Sequence, residues 1–89
     1  MADVWIPPLM QKITNGVKRV EIPGASVRQI VFNLDKTFPG ILEHLYDGEE
    51  DRMKPEVAVV VDGEVSTLGL LEQVKPDSEV HFVPAIAGG

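Results

Sequence analysis

The sequence predicts a two-layer α+β domain, one helix laid across a mixed sheet in the order β-β-α-β-β-β. Three observations predict it. One apolar stripe at helical spacing runs from Val27 to Phe38. Short runs rich in Val, Ile and Trp lie on both sides of it, and such residues favour strands. Two Asx-Gly pairs, Asn15-Gly16 and Asp62-Gly63, read as type I′ turns between antiparallel strands. A single helix stripe has to be covered by one sheet face, which gives two layers.

The first strand is read at Val4, Trp5 and Ile6, with Pro7-Pro8 limiting further ladder pairing. "TNGV" (14–17) is expected to close a hairpin into a second strand, "VKRVEI", whose apolar positions are Val17, Val20 and Ile22. The helix starts at Ser26, an N-cap residue with Gln29 three positions on, which is the capping-box pattern. Val27, Ile30, Val31, Leu34 and Phe38 form its buried stripe, and Pro39-Gly40 ends it. Phe32 falls off that stripe, and the expectation for it is a satellite contact with a loop. Ile41, Leu42 and Leu45 predict one further helical turn.

"DGEEDRMKPE" (47–56) is charged and without period, so it reads as a loop; its acids do not fit the calcium-loop pattern. "VAVVV" (57–61) is a strand, and Asp62-Gly63 turns it into a return strand at Glu64-Val65. "STLGLLEQV" reads as a loop with a helical turn, and "KPDSE" as a turn with Pro76 fixing φ. "EVHFV" (79–83) alternates as the last strand, with Pro84 expected to terminate it. The domain is therefore set at 1–83, with a flexible segment at 84–89 that ends in Gly-Gly.

Composition narrows the function. At 89 residues and 44% hydrophobic content the chain fits one globular domain. No apolar run approaches membrane-spanning length, and the N-terminus lacks the pattern of a signal peptide, so the expected location is cytoplasmic, with no membrane partner. The absence of cysteine excludes disulfides, thiolate metal sites and a cysteine nucleophile. His44 and His81 match no metal-ligand spacing, so no metal is expected. Fourteen acids against eight bases leave a net charge of −6, which repels nucleic acid and favours a basic protein surface. No nucleophile–base pair or phosphate-cradling glycine loop is present, so a free-standing enzyme is not expected.

Strands separated by a crossing helix follow the order of the β-grasp fold. The segment "PDSEVHFVPAIAGG" resembles the end of the MoaD/ThiS family of ubiquitin-like sulfur carriers, where a turn and strand lead through Pro into an apolar–small–Gly-Gly terminus. Pro76-Asp77-Ser78-Glu79-Val80 departs from the family's usual turn. "IPPLMQKITNG" and "TFPGILEHL" look like the branch that holds the carrier of bacterial cysteine biosynthesis. The likeness covers nearly the whole chain.

The resemblance implies a carrier rather than a catalyst. A carboxylate is a poor electrophile at neutral pH. In the family an E1-like adenylyltransferase/sulfurtransferase uses ATP and Mg²⁺ to form an acyl-adenylate on the terminal glycine, here Gly89; sulfur then displaces AMP to leave a thiocarboxylate. The carrier itself binds no cofactor. Ala85, Ile86, Ala87 and Gly88 would thread the partner's active site, glycine without Cβ allowing close approach. From Pro84 the segment reaches at most about 20 Å. Further implied partners are a sulfur-accepting synthase and a JAMM-type protease. Cysteine, molybdopterin, thiamine and tRNA-thiolation pathways share this first step, and the N-terminal likeness points to the cysteine branch. The alternative is a ubiquitin-like modifier joined through Gly89 to lysines; a third reading is an interaction module without a reactive end.

Strand alternation also predicts a docking patch. With Val57, Val59, Val61, Val80, Phe82, Val4 and Ile6 facing in, the outer face presents Trp5, Pro7, Ala58, Val60, His81 and Val83 beside the root of the C-terminal segment. In the family this sheet face contacts the adenylating enzyme. The alternative is that Trp5 packs under a loop or on the Pro7-Pro8 rings, and that His81 is a surface histidine without a role.

Overall fold

A computed structural model describes residues 1–85. Strand β1 (Ala2–Trp5) pairs antiparallel with β2 (Arg19–Ile22). Helix α1 (Val27–Thr37) and a single turn, α2 (Leu42–Leu45), follow. A small hairpin, β3 (Tyr46–Asp47) with β4 (Arg52–Met53), leads to β5 (Val57–Val61), β6 (Glu64–Val65) and β7 (Glu79–Pro84). The main sheet has the order β2-β1-β7-β5-β6. Among the described residues only β1 and β7 pair in parallel, which makes the sheet mixed as predicted.

The layers meet where the sequence places the stripe. Val27, Ile30, Val31 and Leu34 of α1 are buried against Val4, Ile22, Val59, Val80 and Phe82 of the sheet. Each such side chain contributes about 1.5–3 kcal/mol of transfer energy before conformational entropy is set against it. The Gln29 N–H donates to Ser26 Oγ at 3.3 Å, as a capping box requires. The return bond lands one residue early: Gln29 Oε1 accepts from the Ala25 N–H at 2.7 Å. Asp35 Oδ1 accepts from the N–H groups of Gly40 and Leu42, both at 3.1 Å, and so fixes the corner between the helices. No helix among the described residues is long and apolar enough to cross a membrane.

Three expectations are corrected. Asn15 and Gly16 adopt the positive φ angles of their turn, 55° and 85°, but they do not close a tight hairpin. Trp5 already pairs with Arg19, so the connection holds a 3-10 turn at Pro8–Met10 before the Asn-Gly turn, and Val17 lies exposed in it. The charged 47–56 stretch is not all loop, since Asp47 pairs with Arg52 and Tyr46 with Met53. Pro84 does not end β7. It stands opposite Val57, and the Ala85 N–H still donates to the Glu56 carbonyl at 2.9 Å. Bonds to β5 fall on residues 79 and 85, so alternation turns the slot at 84 toward β1, which has already ended at Trp5. A proline there removes no ladder bond.

Phe32 finds a partner in the small hairpin. Its ring meets Tyr46 edge-on with centroids 5.1 Å apart. The Tyr46 hydroxyl donates to Asp51, and Arg28 of α1 donates to the same carboxylate at 2.6 Å. Arg28 and then Tyr46 hold the Asp51 carboxyl below its ordinary pKa, and the Tyr46 hydroxyl is raised mainly by Asp51.

Candidate functional site

Register turns the outer face of the sheet into transverse rows. Arg19, Trp5, His81, Val60 and Val65 are successive register partners on β2, β1, β7, β5 and β6. Val83 and Ala58 pair in the next row toward the C-terminal segment. Trp5, Ala58, Val60, His81 and Val83 therefore stand together on one face, each half-buried. Pro7 does not join them. The chain leaves the ladder after Ile6, alternation stops applying, and Pro7 is buried at the start of the 3-10 turn, where its carbonyl accepts from the Met10 N–H.

Trp5 has aromatic and cationic neighbours on the adjoining strands. Its ring stacks on His81, centroids 5.1 Å apart and planes within 8°. The Arg19 guanidinium carbon lies 5.4 Å from the Trp5 ring centroid, within range of a cation–π contact. Arg19 is held there by Asp3, to which it donates at 2.6 Å; that bond, with the charge of Asp3, keeps the guanidinium pKa above its ordinary value. Trp5 Nε1 is covered and has no hydrogen-bond partner among the described residues. A covered donor without an acceptor is costly. The indole ring thus meets His81 of one neighbouring strand and Arg19 of the other.

Arg19 and Val65 belong to this surface and were not read from the sequence. The signal for Arg19 was available: it alternates with Val20 and Ile22 and so must face outward. Val65 is 67% exposed at the sheet edge, and only the pairing of β6 with β5 places it beside Val60.

Beyond Val83 the strand reaches the root of the C-terminal segment. Pro84 and Ala85 border a hollow of about 340 Å³ lined also by Leu9, His44, Lys54 and Val57. Leu9 is 86% exposed there, a further apolar contact that the sequence reading did not assign. Of the residues assigned to threading or activation, Ala85 is half-buried, and Ile86, Ala87, Gly88 and Gly89 lie outside the described residues. No group of three or more His, Asp or Glu among the described residues could hold a metal ion. What these elements build is a continuous, part-apolar surface that runs toward the root of the C-terminal segment.

Comparison with known proteins agrees with that geometry. The model of the ThiS family matches residues 8–89. The fold is similar to a chain of the Amycolatopsis orientalis BexX/CysO complex, at 31% identity and TM-score 0.88, with 100% of both chains covered. It is similar to Mycobacterium tuberculosis CysO, an antigen, at 25% identity and TM-score 0.89, over 97% of this chain and 100% of that one. Small archaeal modifier protein 1 of Methanosarcina acetivorans shares the fold at 17% identity and TM-score 0.76, over 99% and 95% of the two chains. Comparison with curated protein sequences returns no match.

Proposed function

This chain belongs to the ThiS family of ubiquitin-like sulfur carriers, and from that membership we propose that Gly89 is its reactive end. The carboxylate of Gly89 attacks the α-phosphorus of ATP on a partner enzyme and displaces pyrophosphate. A sulfur nucleophile then adds to the acyl carbon, AMP leaves, and the glycine carries a thiocarboxylate. The protein's own part is to dock and to present the end. The face around Trp5, His81 and Val60 seats the adenylating enzyme, while Ala85 to Gly88 thread its active site. The sulfur goes to a synthase of the cysteine branch. Full-length similarity to CysO chains at 31% and 25% identity carries this choice over the modifier reading, whose archaeal neighbour at 17% shares the fold alone.

Intact-mass measurement tests it. The full chain is incubated with the adenylating enzyme of the same organism, ATP, Mg²⁺ and sulfide. The expected product has one terminal oxygen replaced by sulfur, and deletion of Gly89 abolishes it. An unchanged mass alongside active enzyme overturns the proposal.

A further inference from the structure

The same outer face carries a row of acids beside the aromatic one. Glu21, Asp3 and Glu79 are direct register partners on β2, β1 and β7. Asp62 extends the row at the turn after β5, where its N–H donates to the Glu79 carbonyl at 2.9 Å. Two of these carboxylates are committed. Asp3 accepts from Arg19, and Asp62 accepts from the Ser78 hydroxyl at 2.8 Å and the Glu79 N–H at 2.9 Å. Glu21 and Glu79 are exposed, and neither forms a salt bridge among the described residues.

Like charges directly opposite one another in a sheet repel. Arg19 is the cation set among these acids; Asp3 raises its pKa most, and Glu21 and Glu79 add to the effect. Protection of a sheet edge accounts for the charges on β2. It does not account for Asp3 and Glu79, which face each other across two interior strands. The acids stand one per strand and do not converge on an ion. That spacing suits long cationic side chains on a protein surface, and the net charge of −6 favours such a surface at long range.

We infer that the adenylating partner presents arginine or lysine side chains to Glu21 and Glu79 while its apolar side chains cover Trp5, His81 and Val60. This rests on the carrier reading above and adds what orients the complex. Strands β1 and β7 run parallel from the acidic row toward the C-terminal segment. Ala85 lies six residues beyond Glu79 on the chain, about 20 Å at strand rise. The acidic row lies on the side of the Trp5–His81 row away from the C-terminal segment. An acidic row at one end distinguishes the two directions, so a partner that grips both rows receives the C-terminal segment on the correct side.

The test uses the full chain, the adenylating enzyme of the same organism, ATP, Mg²⁺ and sulfide, with carrier-dependent pyrophosphate release as the readout. The double variant Glu21→Gln/Glu79→Gln should raise the KM for the carrier about tenfold and flatten its dependence on ionic strength, with kcat unchanged. Glu21→Asp/Glu79→Asp, which keeps both charges, should restore KM and the salt dependence. Thermal unfolding of the Gln variant should show no loss of stability, because repulsion has been removed. An unchanged KM and salt slope in the Gln variant overturns the inference, as does a fall in kcat alone. Failure of the native chain to release pyrophosphate overturns the carrier reading and this inference together, so the variant arms tell the two failures apart.

Discussion

Residues 80, 81 and 82 follow one another on β7 and meet opposite fates. Val80 and Phe82 are 0% and 2% exposed against the helix layer, while His81 turns outward to stack on Trp5. One ladder positions both faces, but different physics fills them. The inner face is fixed by volume, since Val80 and Phe82 join one buried apolar cluster with Val4, Val59 and the stripe of α1. The outer face is fixed by register, since Arg19, Trp5, His81 and Val60 touch only because their strands pair at those residues. The comparison teaches that this molecule's core and the face proposed for docking are carried by alternate residues of the same strands.

The sharpest way to break that separation is to substitute one residue on each face. Phe82→Ala should cost about 3–5 kcal/mol in urea unfolding, the range for emptying an aromatic core site. Val60→Asp on the outer face should leave the unfolding midpoint close to that of the native chain. It should raise the carrier KM of the adenylating enzyme by about tenfold or more, as loss of a central interface contact does. Equal destabilisation by the two substitutions would show that the faces are not energetically distinct.

These two faces differ in how far they can be read from sequence. Val27, Ile30, Val31 and Leu34 announce themselves by helical spacing, and the inward residues of β5 and β7 by alternation. Each of these signals is local. Arg19 entered the site only through its pairing with Trp5, and Val65 only through its pairing with Val60, so both depend on contacts between distant segments. Pro7 was misplaced because alternation was carried past the residue where the strand ends. Pro84 was read as a terminator because the direction of its missing N–H is set by β1, a strand more than seventy residues earlier. Asn15-Gly16 illustrates the same limit. Its dipeptide dictates positive φ, yet how many residues precede it in the connection is decided by the register of β1 against β2.

A smaller effect lies at the start of β7, beside the turn that follows β5. Asp62 accepts from the Glu79 N–H first and from Ser78 Oγ second, and these bonds hold its pKa below the ordinary value. A carboxylate whose folded pKa is depressed contributes stability above its unfolded pKa, and that contribution fades as pH falls toward the folded one. The native chain should therefore lose part of its stability as pH falls below about 4. Asp62→Asn should be less stable than the native chain at neutral pH and should show a shallower loss across the acid window. Urea unfolding at a series of pH values checks the slope, and parallel curves would remove Asp62 from the account.

The least effect is expected where neither face is involved. Asp51 joins Arg28 of α1 to Tyr46 of the β3–β4 hairpin, and its ion pair with Arg28 is exposed, where such pairs contribute little to global stability. Asp51→Gly, which removes the carboxylate and suits the positive φ of 52° at this position, should leave the unfolding midpoint nearly unchanged. Its consequence should be local: Phe32 and Tyr46 keep their edge-on contact, but the hairpin turn loses the bond that ties it to the helix. Amide exchange should then quicken at Lys54, whose N–H donates to the Leu45 carbonyl at 3.0 Å, and stay unchanged at Val80 in the core strand. Faster exchange at both sites would mean that the hairpin supports the whole domain, and the line between packed core and outlying surface would have to be redrawn around it.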